Sequence, residues 1–314
     1  MKKSMINTEH IEGRVYDHSL EVKTVKDQSS ANFGKEFIAG QLEIATDDNG
    51  LNVIPVHFTY VTEFTASNKK NYTYAVLKQI IDDKKTILNV GPEEAFKVKI
   101  DTALAVNDFF SARDNVMVST KQNEGGFVSL VNDLCRPEER NTFSVDMVIT
   151  NVKRIEADPE KSIANDYVTV SGAVFNFRNE LQPVEFKVTS DGGMNYFEGI
   201  GASPAEPVFT KVWGKICSTT QTVTKTEESS FGEPAVKTYT KKIKDWIITG
   251  ASKDPYDFGS EDFLTKEELK KAMQDREVHL ADVRKRSEEY QKNKESNKTT
   301  APAPAPVANG DFVF

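Results

Sequence analysis

Hydrophobic and polar positions alternate most regularly over residues 167–188, YVTVSGAVFNFRNELQPVEFKV. Val168, Val170 and Val174 share one parity, and the polar stretch 179–182 interrupts the alternation. A period of two residues is typical of a β-strand with one buried face. The pattern therefore predicts two strands joined by a turn.

A shorter version of the same pattern lies near the N-terminus, over residues 37–61. Each copy has an apolar strand with a central glycine (Gly40 or Gly172), then a polar turn, then the sequence Pro-Val-x-Phe. We interpret the two copies as corresponding hairpins in two similar units. The second strand of each hairpin is expected to point these side chains inward: Val56, Phe58, Val184 and Phe186.

The segments around the two hairpins follow the same order along the chain. A helix is predicted over 72–83 in the first unit, where apolar residues recur at helical spacing, and a short helix over 194–200 in the second. Three strands, a helix and two strands is the order of an OB-fold, a five-stranded and partly open barrel. The other predicted strands are residues 11–25, 96–100, 116–131, 145–155, 208–224 and 236–249.

The pattern changes after Gly250. Thr265 and Glu268 form a capping box for a helix that should end near Gln291. Its apolar stripe is narrow, which suits docking along a domain edge or a weak helix pair. Residues 292–309 lack core-forming side chains and contain Ala-Pro repeats, as is typical of a disordered linker.

The fold class that follows is mainly β: two tandem OB-fold-like barrels, then a C-terminal helix and a disordered tail. The two barrels are connected by a polar, proline-bearing joint. The predicted boundaries are 1–131 for the first OB-like domain, 132–141 for the joint, 142–252 for the second OB-like domain, 253–291 for the helical segment, 292–309 for the linker and 310–314 for the C-terminal tip.

The composition is that of a globular protein, with 38% hydrophobic and 28% charged residues, and a length of 314 residues suits two domains. The N-terminus lacks the apolar stretch of a secretory signal, and no apolar run is long enough to span a membrane. The net charge of −8 argues against a protein coated in basic surface, although a local basic groove remains compatible with it.

Cysteine usage favours a reducing, cytoplasmic setting, and histidine usage gives no support for a zinc site. Cys135 and Cys217 lie far apart without CxxC spacing, and the four histidines show no ligand spacing. We therefore expect neither a metal site nor a cofactor. The chain also lacks a phosphate-binding loop, a GxSxG elbow and an HExxH helix, so the sequence predicts that the protein is not an enzyme.

The strongest functional pattern lies on the predicted strand 208–224. Phe209, Lys211, Trp213 and Lys215 alternate with apolar residues and should point to one side. Aromatic rings stack on the bases of single-stranded nucleic acid for roughly 1–3 kcal/mol each, and lysines contact the phosphates. The alternative is a barrel strand whose rings pack under the C-terminal helix while its lysines reach the solvent.

Other candidate residues for nucleic-acid binding lie on three further segments. The second hairpin adds aromatic and basic side chains on its outer parity, although the same rings would serve to pack against the first domain. The last strand adds lysines, and lysines outnumber acidic residues between 201 and 250. The first domain offers weaker candidates. These residues are Phe175, Phe177 and Arg178 on the second hairpin, Lys241 and Lys244 on the last strand, and Phe37, His57 and Tyr72 in the first domain.

These features together resemble single-stranded-DNA-binding proteins of the OB-fold type, especially diverged bacteriophage ones. The resemblance rests on the barrel order, the strand with alternating rings and lysines, the Pro/Ala linker and a C-terminus containing Asp311, Phe312 and Phe314. It implies sequence-independent binding of single-stranded DNA in replication or recombination. In that family an acidic, aromatic-ended tip recruits partner proteins. Here the tip has one acidic residue, and Val313 departs from the family pattern.

Two other functions stay open on the sequence alone. One is a phage structural or assembly protein that makes protein contacts only, and the other is an RNA-binding OB protein. Stacking on aromatic rings does not distinguish DNA from RNA unless a side chain reads the 2′-hydroxyl. The oligomeric state is also left open.

Overall fold

The computed structural model of the chain describes residues 5–158, 163–227, 235–259 and 264–299. The first part of the chain forms strands around one helical segment, in the predicted order. Its elements are β1 (Asn7–His18), β2 (Glu21–Thr24), β3 (Glu36–Ala45), β4 (Val53–Thr62), α1 (Tyr72–Asp83), α2 (Ile87–Val90), β5 (Lys97–Ser111) and β6 (Val116–Leu130).

Five strands of this part form a ring. β1 pairs antiparallel with β3 and β5, β3 pairs with β4, and β5 pairs with β6. A parallel contact closes the ring where β4 meets β6, with Val56 opposite Asn123 and His57 opposite Glu124. Because this contact is short, the barrel is partly open, as in an OB-fold. β2 extends the edge of β3.

The second part of the chain repeats the arrangement with β7 (Asn141–Ile155), β8 (Tyr167–Phe175), β9 (Leu181–Val188), α3 (Asp191–Gly199), β10 (Val208–Glu227) and β11 (Ala235–Ala251). β7 pairs with β8 and β10, and β11 pairs antiparallel with β10. A parallel contact between Ile247 of β11 and Lys187 of β9 closes the ring. The predicted fold class, mainly β with two OB-like barrels, is confirmed.

The repeated hairpin pattern has a structural cause in both barrels. The Pro-Val-x-Phe strands are β4 and β9, and Val56, Phe58, Val184 and Phe186 are all buried in the core as predicted. The shared glycine allows a close approach of neighbouring backbone. A Cβ on Gly40 would lie 2.2 Å from the Ser19 oxygen, and a Cβ on Gly172 would lie 2.0 Å from the Val148 oxygen.

Several elements differ from the sequence prediction in extent. The predicted strand over 11–25 is two strands, because the chain turns between β1 and β2, where the Ser19 N–H donates to the Gln41 oxygen. The predicted strand over 96–100 is the much longer β5, whose outer half pairs with β6 as far as Ser111 opposite Val116. That half contains the polar residues Asn107 and Asp108 and lacks a regular apolar alternation. It is a strand because it pairs with β6.

The C-terminal helix α4 (Lys266–Thr299) begins as predicted, with reciprocal bonds between Thr265 and Glu268, but it continues past the predicted end at Gln291. It packs along β5 through polar contacts that an apolar stripe does not reveal. The Arg276 guanidinium donates to both carboxylate oxygens of Asp108, with one distance of 2.6 Å. Among the helices of the described ranges, none is both long and apolar enough to cross a membrane.

The two barrels are joined by hydrogen bonds between their first strands. β1 pairs antiparallel with β7, from Asn7 opposite Val145 to Ile11 opposite Asn141. The described strands therefore form one continuous sheet of eleven strands that includes both barrels. This pairing fixes the outer faces of the two barrels relative to each other.

The contact between the barrels places two ionisable groups beside one indole, the buried Glu9 and the half-buried Lys121. The Trp246 Nε1–H donates to Glu9 Oε1 at 2.8 Å, while Glu9 Oε2 meets no partner among the described residues. Burial raises the pKa of Glu9 to about 8. The Lys121 ammonium lies 4.9 Å from the centre of the Trp246 ring, and burial lowers the pKa of Lys121 to about 8.

We expect the replacement Glu9→Gln to flatten the pH dependence of stability. The folded protein holds a proton on Glu9 at pH values where the unfolded chain, with an ordinary pKa of 4.5, has released it. Glu9 therefore stabilises fully at low pH, and this contribution is lost as the pH rises towards about 8, at no more than about 1.4 kcal/mol per pH unit. The measurement is the free energy of unfolding across this range.

The exposed Glu277 provides the control, as Glu277→Gln, and should leave the pH profile as it is in the wild type. If the glutamine amide of Glu9→Gln fits poorly, the whole curve shifts by a constant without a change in slope. Equal slopes in the wild type and in Glu9→Gln would show that Glu9 is ionised in the folded protein.

Candidate nucleic-acid interface

A row of side chains crosses from the second barrel to the first on the outer side of the sheet. In an antiparallel pair, residues directly opposite each other point to the same face. Lys215 lies opposite Thr142, Thr142 opposite His10, His10 opposite Asp101, and Asp101 opposite Phe127. The row therefore runs from β10 through β7, β1 and β5 to β6.

A second row lies beside it, because Trp213 is opposite Ser144 and Ser144 is opposite Thr8. The two rows define a surface to which both barrels contribute. We call it the shared face, and its residues are Thr8, His10, Asp101, Phe127, Thr142, Ser144, Trp213 and Lys215.

A cleft of about 790 Å³ lies on the shared face and reaches the turn between β8 and β9. Two exposed phenylalanines line it, Phe127 from the first barrel and Phe177 from the second. Their side chains are 80% and 86% exposed, which is unusual for phenylalanine. The rest of the lining combines small polar side chains, including Thr8, Thr142 and Ser144, with several apolar residues and three carboxylates, those of Glu9, Asp101 and Glu124. The cleft therefore has an open aromatic ring from each barrel.

The indole of Trp213 lies against the backbone of β11 at Gly250. A Cβ added to Gly250 would lie 2.5 Å from Trp213 Nε1 and 2.6–2.7 Å from two ring carbons, so only glycine leaves room for the ring. The side chain is 41% exposed. A register shift in β10 follows Trp213 immediately. One side of the ring is thus supported by backbone, and the exposed part is available for stacking.

The two lysines predicted next to Trp213 are half-buried. Lys215 Nζ is 3.5 Å from Asn141 Oδ1, and Lys211 lies opposite the buried Asp146, which accepts hydrogen bonds from the Ile6 N–H and the Tyr256 hydroxyl.

Several acidic groups lie on and near the shared face, and some of them contact basic side chains. Asp101 contacts His10 at 2.9 Å and Lys99 at 3.2 Å. Glu139, in the joint, lies close enough to Lys215 and His10 for their charges to help lower its pKa, after the larger effect of its hydrogen bond from Arg136. The shared face therefore carries charges of both signs and is not strongly basic.

Two of the predicted aromatic residues are not available for stacking. Phe209 lies on the same outer side of β10 as Trp213, but both it and Phe175 are fully buried. The chain after β11 and the start of α4 cover them, with Tyr256 and Phe258 packed at 5.0 and 5.8 Å from the Phe209 ring. They belong to a second small apolar cluster with Val148, Ala173, Leu181, Leu264 and Leu269. The expectation that these two rings are exposed is wrong.

The remaining predicted residues are distributed over several elements. Arg178 is exposed, with its guanidinium 5.1 Å from the centre of the Phe177 ring, so it borders the cleft. Lys244 is exposed on β11 and lies close enough to His57 of β4 for its charge to add to the effect of burial, and together they lower the pKa of His57. Lys241 lies on β11, and its side chain is outside the described part of the chain.

Two predicted residues of the first barrel lie on elements that do not carry the shared face. Phe37 of β3 packs against Tyr60 of β4, with ring centres 4.7 Å apart. Tyr72 is 64% exposed at the start of α1. The predicted partner-binding tip, formed by Asp311, Phe312 and Phe314, falls outside the described residues.

Sequence reasoning misses Phe127, His10 and the small polar residues of the shared face. His10 and Phe127 are brought together through β5, and the residues of β7 join them because β1 pairs with β7. No local pattern reports these pairings. One signal is present for Phe127, since it follows Gly125 and Gly126, both with positive φ, where β6 changes register against β5. A glycine pair inside a strand indicates a bulge, which often redirects a side chain.

The fold and the shared face define a tandem OB-fold protein with an aromatic, polar surface at the junction of its barrels. The chain belongs to the YorF family, whose model matches residues 6–292. No curated protein matches the chain. Similar solved structures include the wild-type single-stranded DNA binding protein from Thermus aquaticus, with 9% identity, a TM-score of 0.47, and coverage of 82% of this chain and 96% of that chain.

A second similar structure is a deletion mutant of the same Thermus aquaticus protein that also carries an arginine-to-alanine substitution. It has 11% identity and a TM-score of 0.45, and the match covers 82% of this chain and 99% of that chain.

Proposed function

We propose that the protein binds single-stranded DNA without sequence preference, across the shared face. The observation that supports this is the presence of exposed aromatic rings from both barrels on one surface. Trp213 is supported from below by Gly250, and Phe127 and Phe177 line a single cleft. Exposed rings on OB barrels bind unpaired bases by stacking, which tolerates any sequence because every base has a flat face.

The geometry favours a single strand over a duplex. Stacking requires bases that are free to turn away from their partners, and the rings at the cleft are isolated phenylalanines rather than a helix or ribbon able to enter a groove. The small hydroxyl and amide groups between the rings, such as Thr142 and Asn176, can donate hydrogen bonds to bases or to phosphate oxygens.

Charge makes the smaller contribution in this proposal. The protein carries a net charge of −8, and the cleft on the shared face contains the carboxylates of Asp101 and Glu124. We therefore expect stacking to supply most of the binding free energy and the salt dependence to be shallow. A protein that relies on many phosphate contacts shows a steep decrease in affinity with salt instead.

The test is a titration of the full chain with fluorescently labelled oligo-dT, duplex DNA and oligo-U at two salt concentrations. We expect binding to oligo-dT, clearly weaker binding to duplex, and a small loss of affinity at the higher salt. Preference for oligo-U would assign the protein to RNA instead. Failure to bind any of the three would leave protein contacts, as in a structural or assembly protein, as the function of this surface.

The lysines of β10 should account for part of the salt dependence of oligo-dT affinity. Lys215→Ala and Lys211→Ala are each expected to reduce the slope of log affinity against log salt by about 0.7, the value for removal of one phosphate contact on a single strand. Lys78→Ala is the matched control, because Lys78 pairs with Asp82 on α1, away from the shared face. A slope that stays at the wild-type value in both β10 variants would exclude these lysines from phosphate contact.

The cellular setting is proposed on the resemblance of the sequence alone. That interpretation includes a role in replication or recombination, a phage origin and a cytoplasmic location. It also includes a binding role without catalysis. Recruitment of a partner protein by Asp311, Phe312 and Phe314 is part of the same proposal. Two phenylalanines at the end of a polar tail would fill a partner's apolar pocket, with the acidic groups against a basic rim.

A further inference from the structure

A histidine, a glutamate and a cysteine converge where the first strand meets the joint between the barrels. His10 and Glu12 are two residues apart on β1 and point to the same side, and Cys135 approaches from the joint. His10 Nε2 is 3.3 Å from Glu12 Oε2 and 4.0 Å from Cys135 Sγ. One ligand atom from each of the three residues lies within 4.8 Å of the other two.

These three groups are the donors that zinc prefers. Zinc takes thiolate sulfur at about 2.3 Å and imidazole nitrogen or carboxylate oxygen at about 2.0–2.2 Å, in a tetrahedral arrangement. Ligand atoms on one such ion are about 3–4 Å apart, which the observed separations approach without movement of the backbone. Glu12 is buried and the other two residues are half-buried, so the position is shielded on one side and open on the other.

The surrounding hydrogen bonds leave one atom of each group free to bind a metal. Asp101 Oδ1 lies 2.9 Å from His10 Nδ1, so this nitrogen donates its hydrogen to the carboxylate and Nε2 keeps its lone pair. Glu12 Oε1 accepts the Cys135 N–H, which leaves Oε2 available. The Arg140 Nε–H donates to the Cys135 carbonyl oxygen at 2.8 Å and holds that residue in place.

A carboxylate on the far nitrogen of a ligand histidine is the usual support for a bound zinc ion. Without a metal, the Cys135 thiol makes only weak hydrogen bonds, to His10 Nε2 and to Glu12. An ion pair between His10 and a carboxylate does not require the thiol to lie near Nε2, whereas a shared metal ion does.

We propose that His10 Nε2, Glu12 Oε2 and Cys135 Sγ bind one zinc ion, with a water molecule in the fourth position. Binding displaces the thiol proton to solvent, and the thiolate becomes the ligand. The ion ties the joint between the barrels to β1. Because His10 belongs to the shared face, the ion also fixes the position of one of its side chains. Spacing along the chain hides this site, since Cys135 is distant from the two strand residues.

The experiment is titration of the full, reduced chain with Co²⁺, which reports a cysteine ligand by thiolate-to-cobalt charge-transfer absorption, followed by displacement with Zn²⁺. The wild type should show this absorption, saturating at one ion per chain. Cys217→Ser is the matched control, because Cys217 is the other free cysteine and is also half-buried. It should behave as the wild type, whereas Cys135→Ser should lose the absorption.

A second variant tests the supporting carboxylate without removing a ligand. Asp101→Asn should weaken Co²⁺ binding by about 10- to 100-fold and leave the charge-transfer absorption present at saturation. Circular dichroism of each variant confirms that it is folded before titration. The proposal is overturned if the wild type shows no charge-transfer absorption, or if Cys135→Ser retains it at the same stoichiometry.

Discussion

Replacing Trp213 with alanine is expected to weaken the binding of oligo-dT by about 1–3 kcal/mol, the range found for one stacked base. The indole is 41% exposed and lies against the backbone at Gly250, so its position is set before any ligand arrives. Little side-chain entropy is then lost on binding, which favours an effect in the upper part of the range. The measurement is a fluorescence titration at constant salt.

Phe64 provides the matched control for this loss. Its side chain is 44% exposed, a fraction close to that of Trp213, and it lies just after β4, away from the shared face. Phe64→Ala should bind oligo-dT as the wild type does. The stacking role is excluded if both variants lose affinity equally, or if Trp213→Ala lowers the unfolding midpoint and leaves the affinity of the folded protein unchanged.

Replacing Phe209 with alanine is expected to have the opposite profile, with a large loss of stability and little direct effect on binding. Removal of a fully buried phenylalanine costs about 3–5 kcal/mol in free energy of unfolding. Phe209 has no exposed area, and its ring packs against Tyr256 and Phe258 beneath the start of α4. Chemical denaturation measures the stability, and oligo-dT titration under native conditions measures the binding.

Phe177→Ala is the comparison for this second effect, since its ring is 86% exposed and its loss should change stability by less than about 0.5 kcal/mol. A loss of oligo-dT affinity in Phe209→Ala, with stability unaffected, would mean that the ring leaves its cluster to meet DNA. The sequence pattern predicts that both Phe177 and Phe209 point away from the barrel core. They differ because a later segment of the chain covers only Phe209.

The elements that can be predicted from the sequence are those with a strong local signal. The helix Tyr72–Asp83 follows from apolar residues at helical spacing, and the capping box at Thr265 places the start of α4 correctly. The order of the elements is sufficient to predict the OB arrangement in both halves. In these cases short-range pattern and tertiary structure agree, so each element forms where its own residues favour it.

The candidate site is less predictable because it depends on pairings between distant segments. Trp213 and Lys215 stand out through alternation on one strand, yet Thr8 and His10, which share their rows, lie on β1, about two hundred residues earlier in the chain. The burial of Phe209 escapes prediction for a similar reason. Alternation shows that a side chain leaves the barrel core, but it does not show whether a later segment covers the outer face.

The pairing of β1 with β7 also determines how the molecule can be divided. Without this pairing, the first half of β1 and the beginning of β7 would each have unpaired N–H and C=O groups along one side, and such edges invite aggregation. Here residues from Asn7 to Ile11 and from Asn141 to Val145 satisfy each other's backbone groups. If the chain were divided in the joint and the halves separated, each half would expose an unpaired strand edge. Trp246 would also lose Glu9 as its hydrogen-bond acceptor. We therefore expect the two barrels, although they repeat in sequence, to unfold together as one cooperative unit.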